Sequence, residues 1–119
     1  RVLRVLVVDD EPAVRATVGA MLAHNAFEAE SAATLSEARS LFLAGERFDV
    51  VLCDAGLTTQ DPQGPDHELA ATFPGAKTVL MSGDPKLTGL SGGLRRPFSV
   101  DDLTSAVLQA AGVTAARGS

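Results

Sequence analysis

Residues 2–12 read VLRVLVVDDEP, a Val-rich apolar run that ends in two aspartates, a glutamate and a proline. A short apolar run with polar residues at its end is typical of a strand buried on both faces of a parallel sheet. Pro12 suits the first turn of a helix, where a missing amide costs nothing. Apolar residues then recur at helical spacing at Val14, Val18, Met21 and Leu22. The stretch therefore predicts a strand, an acidic turn and a helix.

Similar units recur along the chain. A second apolar run, 48–53, also ends in a carboxylate, Asp54, and a third, 77–81, ends at Ser82. Weaker strands are predicted at 27–33 and 94–97, and further helices at 36–43, 66–73 and 99–112. The last helix carries a capping signal, Ser99 with Asp102 three positions on. Strands that alternate with helices indicate an α/β fold with parallel strands and right-handed crossovers.

The acidic residues follow the ends of neighbouring strands in this arrangement. In an open parallel sheet, ligands bind beyond the carboxyl ends of the strands, near the point where strand order reverses. We therefore expect Asp9, Asp10, Asp54 and Ser82 at one rim of the sheet.

Composition restricts the classes of protein to which the chain could belong. It has 119 residues, 45% of them hydrophobic, which fits one domain over 1–112 with a tail at 113–119. The net charge of −5 without a basic block argues against nucleic-acid binding, and no apolar run is long enough to span a membrane. The single cysteine, Cys53, lies in an apolar run and is predicted to be a buried, inert thiol. A reducing, cytoplasmic setting is expected.

Three carboxylates at one rim have a chemical consequence. Two of them about 5 Å apart repel by roughly 3 kcal/mol at an effective dielectric constant near 20. Mg²⁺ relieves this repulsion best, because it prefers oxygen ligands and keeps open positions for water or phosphate. Such a site suits phosphoryl transfer to a carboxylate nucleophile. Ser82 could then donate to a phosphate oxygen, and a cation at Arg95 or Arg96 could pair with it.

The combined motifs resemble the receiver domain of two-component response regulators. They are VLVVDDEP at 5–12, VVLCD at 50–54, VLMSG at 79–83 and RPF at 96–98. The resemblance runs from Val2 to about Ala111. It implies a flavodoxin-like, doubly wound, five-stranded parallel sheet of order 2-1-3-4-5 with helices on both faces.

The resemblance also implies a role for each site residue. Asp54 would be the phosphoacceptor, Asp10 a direct Mg²⁺ ligand, and Asp9 would act mainly through water. The backbone carbonyl of Gly56 would be the third protein ligand, and the Ser82 hydroxyl would move toward the phosphoryl group. The domain would not be an enzyme, and would at most catalyse its own phosphorylation and dephosphorylation.

The partner implied by the resemblance is a histidine kinase or a histidine phosphotransfer protein. The VLMSG run looks most like receivers at the carboxyl end of hybrid sensor kinases. No contact with nucleic acid or membrane is expected of the domain, and its oligomeric state is left open.

The sequence departs from the family pattern at the cation and at the switch. Arg96 stands where the family has lysine, and the switch aromatic three positions earlier falls on Gly93. Arginine and lysine are not interchangeable, because the planar fork of arginine is bulkier. The segment between Ser82 and Arg96 is glycine-rich and too short for a helix of about 10 residues together with a loop and a strand. The family's fourth helix is therefore predicted to be missing or shortened.

The loop after Asp54 matches the family only loosely. Thr58 stands where a proline is usual, and the loop glycine arrives late, at Gly64. Thr58 is read as a plain loop residue, although its hydroxyl is near enough to Asp54 in sequence to reach phosphate or metal.

Two other functions were weighed against a phosphoacceptor. A degenerate receiver would be a phosphorylation-independent interaction module, as Arg96, Gly93 and the short segment suggest. A phosphatase with an aspartate nucleophile would need a second Asp two positions after the first. Asp9 is followed by Asp10 and then Glu11, so that spacing fails.

Overall fold

Strands and helices alternate along the chain in the computed structural model, which describes residues 2–58, 63–82 and 94–112. The strands are β1 (Arg4–Val8), β2 (Glu28–Ala32), β3 (Val50–Asp54), β4 (Lys77–Ser82) and β5 (Leu94–Arg95). The helices are α1 (Pro12–His24), α2 (Leu35–Leu43), α3 (Pro65–Thr72) and α4 (Val100–Ala110), and a 3₁₀ turn (Ala55–Leu57) follows β3. These bounds lie close to the elements predicted from the sequence.

The sheet is parallel throughout, in the order β2-β1-β3-β4-β5. The predicted flavodoxin-like order is therefore found for the four longer strands, while β5 adds only two residues at the edge. The register pairs Val8 with Cys53 and Asp54 with Met81, so the carboxyl ends of β1, β3 and β4 are level. β5 is shorter than the predicted strand 94–97.

The central strands are buried on both faces, which is why they are apolar without alternation. Val5 to Val8 of β1 and Val50 to Cys53 of β3 are all fully buried. Alternate residues of each strand face two separate cores. One core packs against α1 and α4, through Val18, Leu22, Leu103 and Val107. The other packs against α2 and α3, through Ala38, Leu69 and Phe73.

Local capping explains where two helices begin and end. The Ser99 hydroxyl accepts from the Asp102 amide at 3.0 Å, and the Asp102 carboxylate accepts from the Ser99 amide at 3.0 Å, which confirms the predicted capping box of α4. Gly45 has a φ of +97° just beyond α2, the left-handed conformation that glycine adopts freely. Gly45 therefore ends α2.

Several expectations fall outside the residues that the structure describes. They are Gly93, the shortened segment at 83–93 with the family's fourth helix, and the tail at 113–119. Within the described ranges, none of the helices combines the length and the hydropathy needed to cross a membrane.

Candidate functional site

Three aspartates meet at the carboxyl ends of β1 and β3. Asp9 follows β1 directly, Asp10 is the next residue, and Asp54 ends β3, the strand beside β1. One carboxylate oxygen from each lies within 4.8 Å of the others. Asp9 is fully buried, Asp10 is exposed and the Asp54 side chain is 24% exposed. The structure therefore brings together the cluster that strand topology predicts. Solvent exposure of the side chains increases from Asp9 through Asp54 to Asp10.

The Asp9 carboxylate is held by the protein on both oxygens. Its Oδ1 accepts from the Glu11 amide at 2.9 Å, and its Oδ2 accepts from Nη2 of Arg96. A buried charge is costly unless it is paired and hydrogen-bonded, and both conditions are met here. Glu11 thus serves the site through its backbone, and it holds the acidic turn in place.

Arg15 is a site residue that the sequence reasoning missed. Its Nη1 donates to the Asp9 carbonyl at 2.7 Å, so it fixes the peptide that joins the two aspartates. An arginine in the first turns of a helix is unfavourable with respect to the helix dipole. A cation at that position of α1 therefore indicates a local acceptor, and this was the available signal.

Asp54 has a different environment from Asp9. Its Oδ1 accepts from the Gly56 amide at 3.3 Å and lies 3.8 Å from Nη2 of Arg96. Burial raises the pKa of Asp54 above its ordinary value of 3.8, and the charges of Asp9 and Asp10 act in the same direction. The Gly56 hydrogen bond and the Arg96 charge oppose this rise in pKa without cancelling it. The carboxylate is thus partly exposed and incompletely neutralised.

Gly56 keeps the space beside Asp54 open. It lies in the 3₁₀ turn after β3, and a Cβ at this position would stand 3.5 Å from Oδ2 of Asp54. A side chain there would narrow the approach to the carboxylate, whereas glycine leaves it free. The turn also places Gly56 at the same rim as the aspartates.

The two predicted hydroxyl residues are placed differently. Ser82 is the last residue of β4 and is 9% exposed, one position beyond Met81, the β4 partner of Asp54. Thr58 is also buried, but its hydroxyl donates to the Ala55 carbonyl at 2.7 Å. The structure therefore places Ser82 at the rim. The hydroxyl hydrogen of Thr58 is used in a bond to the preceding 3₁₀ turn.

Arg96 reaches the acidic cluster from the far edge of the sheet. Its amide donates to the Ser82 carbonyl at 2.8 Å, which continues the pairing of β4 with β5. The guanidinium contacts Asp9 through Nη2, while the buried Nε has no hydrogen-bond partner among the described residues. Arg96 also lines a groove of about 570 Å³ between Phe98 and α1. Its principal partner is the buried Asp9, with Asp54 at longer range.

The sequence matches the family model of the response regulator receiver domain over residues 5–108. The chain belongs to the receiver domain family. No curated protein matches the sequence.

Solved receiver domains share its fold. A response regulator receiver domain protein from Clostridium thermocellum is 21% identical with a TM-score of 0.74, covering 93% of this chain and 95% of that one. The chemotaxis response regulator CheY4 of Vibrio cholerae is 21% identical with a TM-score of 0.70, covering 92% and 99%. The beryllofluoride-activated NtrC4 receiver domain is 24% identical with a TM-score of 0.69, covering 92% and 96%. At these identities the likeness establishes the fold alone.

The donor set of this receiver domain fits a small, hard divalent cation. Three carboxylates that each offer an oxygen within 4.8 Å of the others are the donors that Mg²⁺ prefers. Their graded exposure leaves one side of the cluster open to water, as a cation that keeps several water ligands requires. The arrangement can therefore hold a metal beside a partly exposed carboxylate, Asp54.

Proposed function

We propose that this receiver domain is the phosphoacceptor of a two-component phosphorelay and that Asp54 accepts the phosphoryl group in a Mg²⁺-dependent reaction. The observation that carries the proposal is the convergence of Asp9, Asp10 and Asp54 within 4.8 Å at the rim of the sheet. Asp54 is the member of the cluster that is both partly exposed and incompletely neutralised. These properties suit a nucleophile rather than a structural carboxylate.

The donor in this proposal is a phosphohistidine of a histidine kinase or a histidine phosphotransfer protein. An Asp54 carboxylate oxygen attacks phosphorus and a P–O bond forms. The P–N bond to the imidazole breaks, and the imidazole leaves as a neutral ring that keeps the proton on its other nitrogen. The product is an acyl phosphate on Asp54.

Asp10, Asp54 and the Gly56 carbonyl would hold Mg²⁺ directly, and Asp9 would hold it mainly through water. The chemistry that Mg²⁺ would supply there is neutralisation of the charge on the phosphoryl oxygens. The protein itself keeps the nucleophile oriented through the Gly56 amide and fixes the acidic turn through Arg15 and the Glu11 amide.

Ser82 and Arg96 are proposed to bind the transferred group. The Ser82 hydroxyl, at the end of the neighbouring strand, would donate to a phosphoryl oxygen. A hydrogen bond to a charged group is worth about 1.5–3 kcal/mol, which is enough to hold a rim residue in a new position. Arg96 would pair with the phosphoryl group once it is released from Asp9. We take Leu94–Arg95 as the remnant of the family's fifth strand.

The setting follows from the same proposal. The domain would turn over no external substrate and would at most catalyse its own phosphorylation and dephosphorylation. Its partners would be proteins of the relay, because a net charge of −5 disfavours contact with nucleic acid or an anionic membrane. The cytoplasm is the proposed compartment, because the single cysteine indicates a reducing setting. Attachment to a hybrid sensor kinase remains a hypothesis based on the VLMSG run.

A second function is favoured by one observation, the pairing of Arg96 with the buried carboxylate of Asp9. Because Arg96 already neutralises part of the cluster's charge, the domain could be a phosphorylation-independent interaction module that needs no metal. An Asp54→Asn variant distinguishes the two functions. A scaffold keeps its partner affinity in this variant, whereas a phosphoacceptor loses the response of that affinity to phosphoryl donors.

Beryllofluoride, a phosphoryl mimic, provides the direct test of the proposed site. Amide resonances of Gly56 and Ser82 should shift when beryllofluoride is added to the Mg²⁺-saturated domain, and Asp54→Asn should abolish this additional shift. Absence of a beryllofluoride-induced shift in the Mg²⁺-saturated wild-type domain would rule out the phosphoacceptor function.

A further inference from the structure

We propose that Arg15 is a positioning residue of the site, because its hydrogen bond to the Asp9 carbonyl sets the direction in which the next residue, Asp10, presents its carboxylate. The inference rests on the proposed function and names a residue outside the acidic cluster on which metal binding depends. Arg15 would act on the metal site through the backbone, without touching the metal ion or the phosphoryl group.

The Asp10 side chain has no support of its own. It is exposed, and within the described ranges no hydrogen bond or ion pair involves its carboxylate. Its neighbours differ in this respect. Asp9 accepts a hydrogen bond from the Glu11 amide, and Asp54 accepts one from the Gly56 amide. The direction of the Asp10 carboxylate therefore depends on the backbone that carries it.

The peptide that joins Asp9 to Asp10 is held at its carbonyl. A peptide unit is planar, so the orientation of the Asp9 carbonyl fixes the plane that contains the amide and Cα of Asp10. Nη1 of Arg15 donates to this carbonyl at 2.7 Å. On the other side of Asp9, its amide donates to the Ala32 carbonyl at 3.1 Å. Loss of the Arg15 bond would free the peptide plane to rotate, and the Asp10 carboxylate would turn with it.

Arg15 makes this bond from a rigid support. It is half-buried near the start of α1, a helix that is anchored in the core by Val18 and Leu22. The bond reaches back six positions and ties α1 to the residue that follows β1. The acidic turn is thus held between a buried strand and a helix that is packed against the sheet.

Charge alone predicts the opposite effect of removing Arg15, and this makes the inference testable. Arg15 donates to a neutral carbonyl, and among the described residues it is paired with no carboxylate. A cation near a dication site repels the dication, so removal of the Arg15 charge by itself should tighten metal binding. Removal of a positioning residue should instead weaken it, since groups that orient metal ligands typically contribute about 10–100-fold to metal affinity.

The test compares Arg15→Met, which keeps an unbranched side chain without a donor, with a charge-matched control, Arg39→Met, on the exposed side of α2. Mg²⁺ affinity is measured by titration of the Asp10 and Gly56 amide resonances, and the Asp9 carbonyl resonance is measured before Mg²⁺ is added. We expect Arg15→Met to bind Mg²⁺ about tenfold more weakly and to shift the Asp9 carbonyl resonance. Arg15→Lys, whose ammonium can donate to the same carbonyl, should recover most of the affinity, and Arg39→Met should behave as wild type.

Other outcomes overturn the inference in distinguishable ways. Equal or tighter Mg²⁺ binding by folded Arg15→Met overturns the positioning role and leaves the proposed function intact. An affinity of Arg15→Lys no better than that of Arg15→Met overturns the bond to the Asp9 carbonyl as the cause. Absence of Mg²⁺ binding by the wild-type domain overturns the positioning role and the metal-dependent function together. If Arg15→Met does not fold, Arg15→Gln, which also removes the charge and shortens the side chain, is titrated in its place. Binding by that variant as tight as wild type overturns the proposal.

Discussion

The Arg96 guanidinium contacts the fully buried carboxylate of Asp9, and its Nη2 lies 3.8 Å from Oδ1 of Asp54. Arg96 thus neutralises Asp9, the carboxylate whose burial costs the most free energy. Asp54, the candidate nucleophile, is neutralised less than Asp9. The acidic cluster therefore contains a buried carboxylate, Asp9, that is paired with a cation, and a partly exposed one, Asp54, that is incompletely neutralised.

The Asp9–Arg96 pair should be energetically coupled in the metal-free domain. Asp9→Asn, Arg96→Gln and the double variant form a cycle whose coupling free energy of unfolding is expected at about 1–3 kcal/mol. The reason is that removal of one partner leaves the other charge without compensation. Chemical denaturation in a chelating buffer measures it, and additive single effects would show that the contact does not matter.

Asp54→Asn should stabilise the domain at neutral pH relative to wild type. The pKa of Asp54 is raised above 3.8 in the folded state, so its ionisation opposes folding. The sign follows from linkage: the folded state holds the Asp54 proton more strongly, so the contribution of Asp54 to stability falls as pH rises from 3.8 through its raised pKa. The advantage of the variant should be absent at low pH and grow across that window. Unfolding measured from acid to neutral pH checks it, and a constant difference would be inconsistent with a raised pKa.

Much of the fold could be predicted, because parallel strands that helices cover on both faces have unbroken apolar sequences. The runs that became β1 and β3 were identified on that basis, and each ends at a carboxylate. The start of α4 was predictable from Ser99 and Asp102, since a capping box is a local pattern. Topology then placed Asp9, Asp10 and Asp54 together without any distance being known.

The partners of Arg96 could not be predicted from the sequence. Arg96 and Asp9 are 87 positions apart, and the choice between Asp9 and Asp54 depends on where β5 lies at the edge of the sheet. The Arg15 contact with the Asp9 carbonyl was missed because an arginine on a helix is ordinarily taken as solvent-exposed. Thr58 could not be assigned either, since its role depends on the shape of one turn.

The two buried hydroxyls provide a matched pair of variants. Ser82→Ala should slow phosphorylation about tenfold or more, because it removes a donor to a charged group. Thr58→Val should leave that rate nearly unchanged and cost about 1 kcal/mol of stability, since within the described part of the chain its hydroxyl bonds to the Ala55 carbonyl. Rates with a small phosphodonor and unfolding free energies separate the two roles. A slow Thr58→Val variant of normal stability would instead give that hydroxyl a part in the chemistry.

Cys53 should be inert in the folded domain. Burial raises the pKa of its thiol to about 12, so almost no thiolate is present near pH 8. Labelling by a disulfide reagent should be slow and should accelerate with denaturant in step with unfolding. The chain has one cysteine, so the signal is unambiguous. Rapid labelling under native conditions would mean that β3 opens locally.

The most direct test of the central claim is intact-mass spectrometry of the domain after incubation with acetyl phosphate. The proposal predicts incorporation of one phosphoryl group that requires Mg²⁺ and is absent in Asp54→Asn. No incorporation by the wild-type domain, or equal incorporation by Asp54→Asn, would contradict the assignment of Asp54 as the phosphoacceptor.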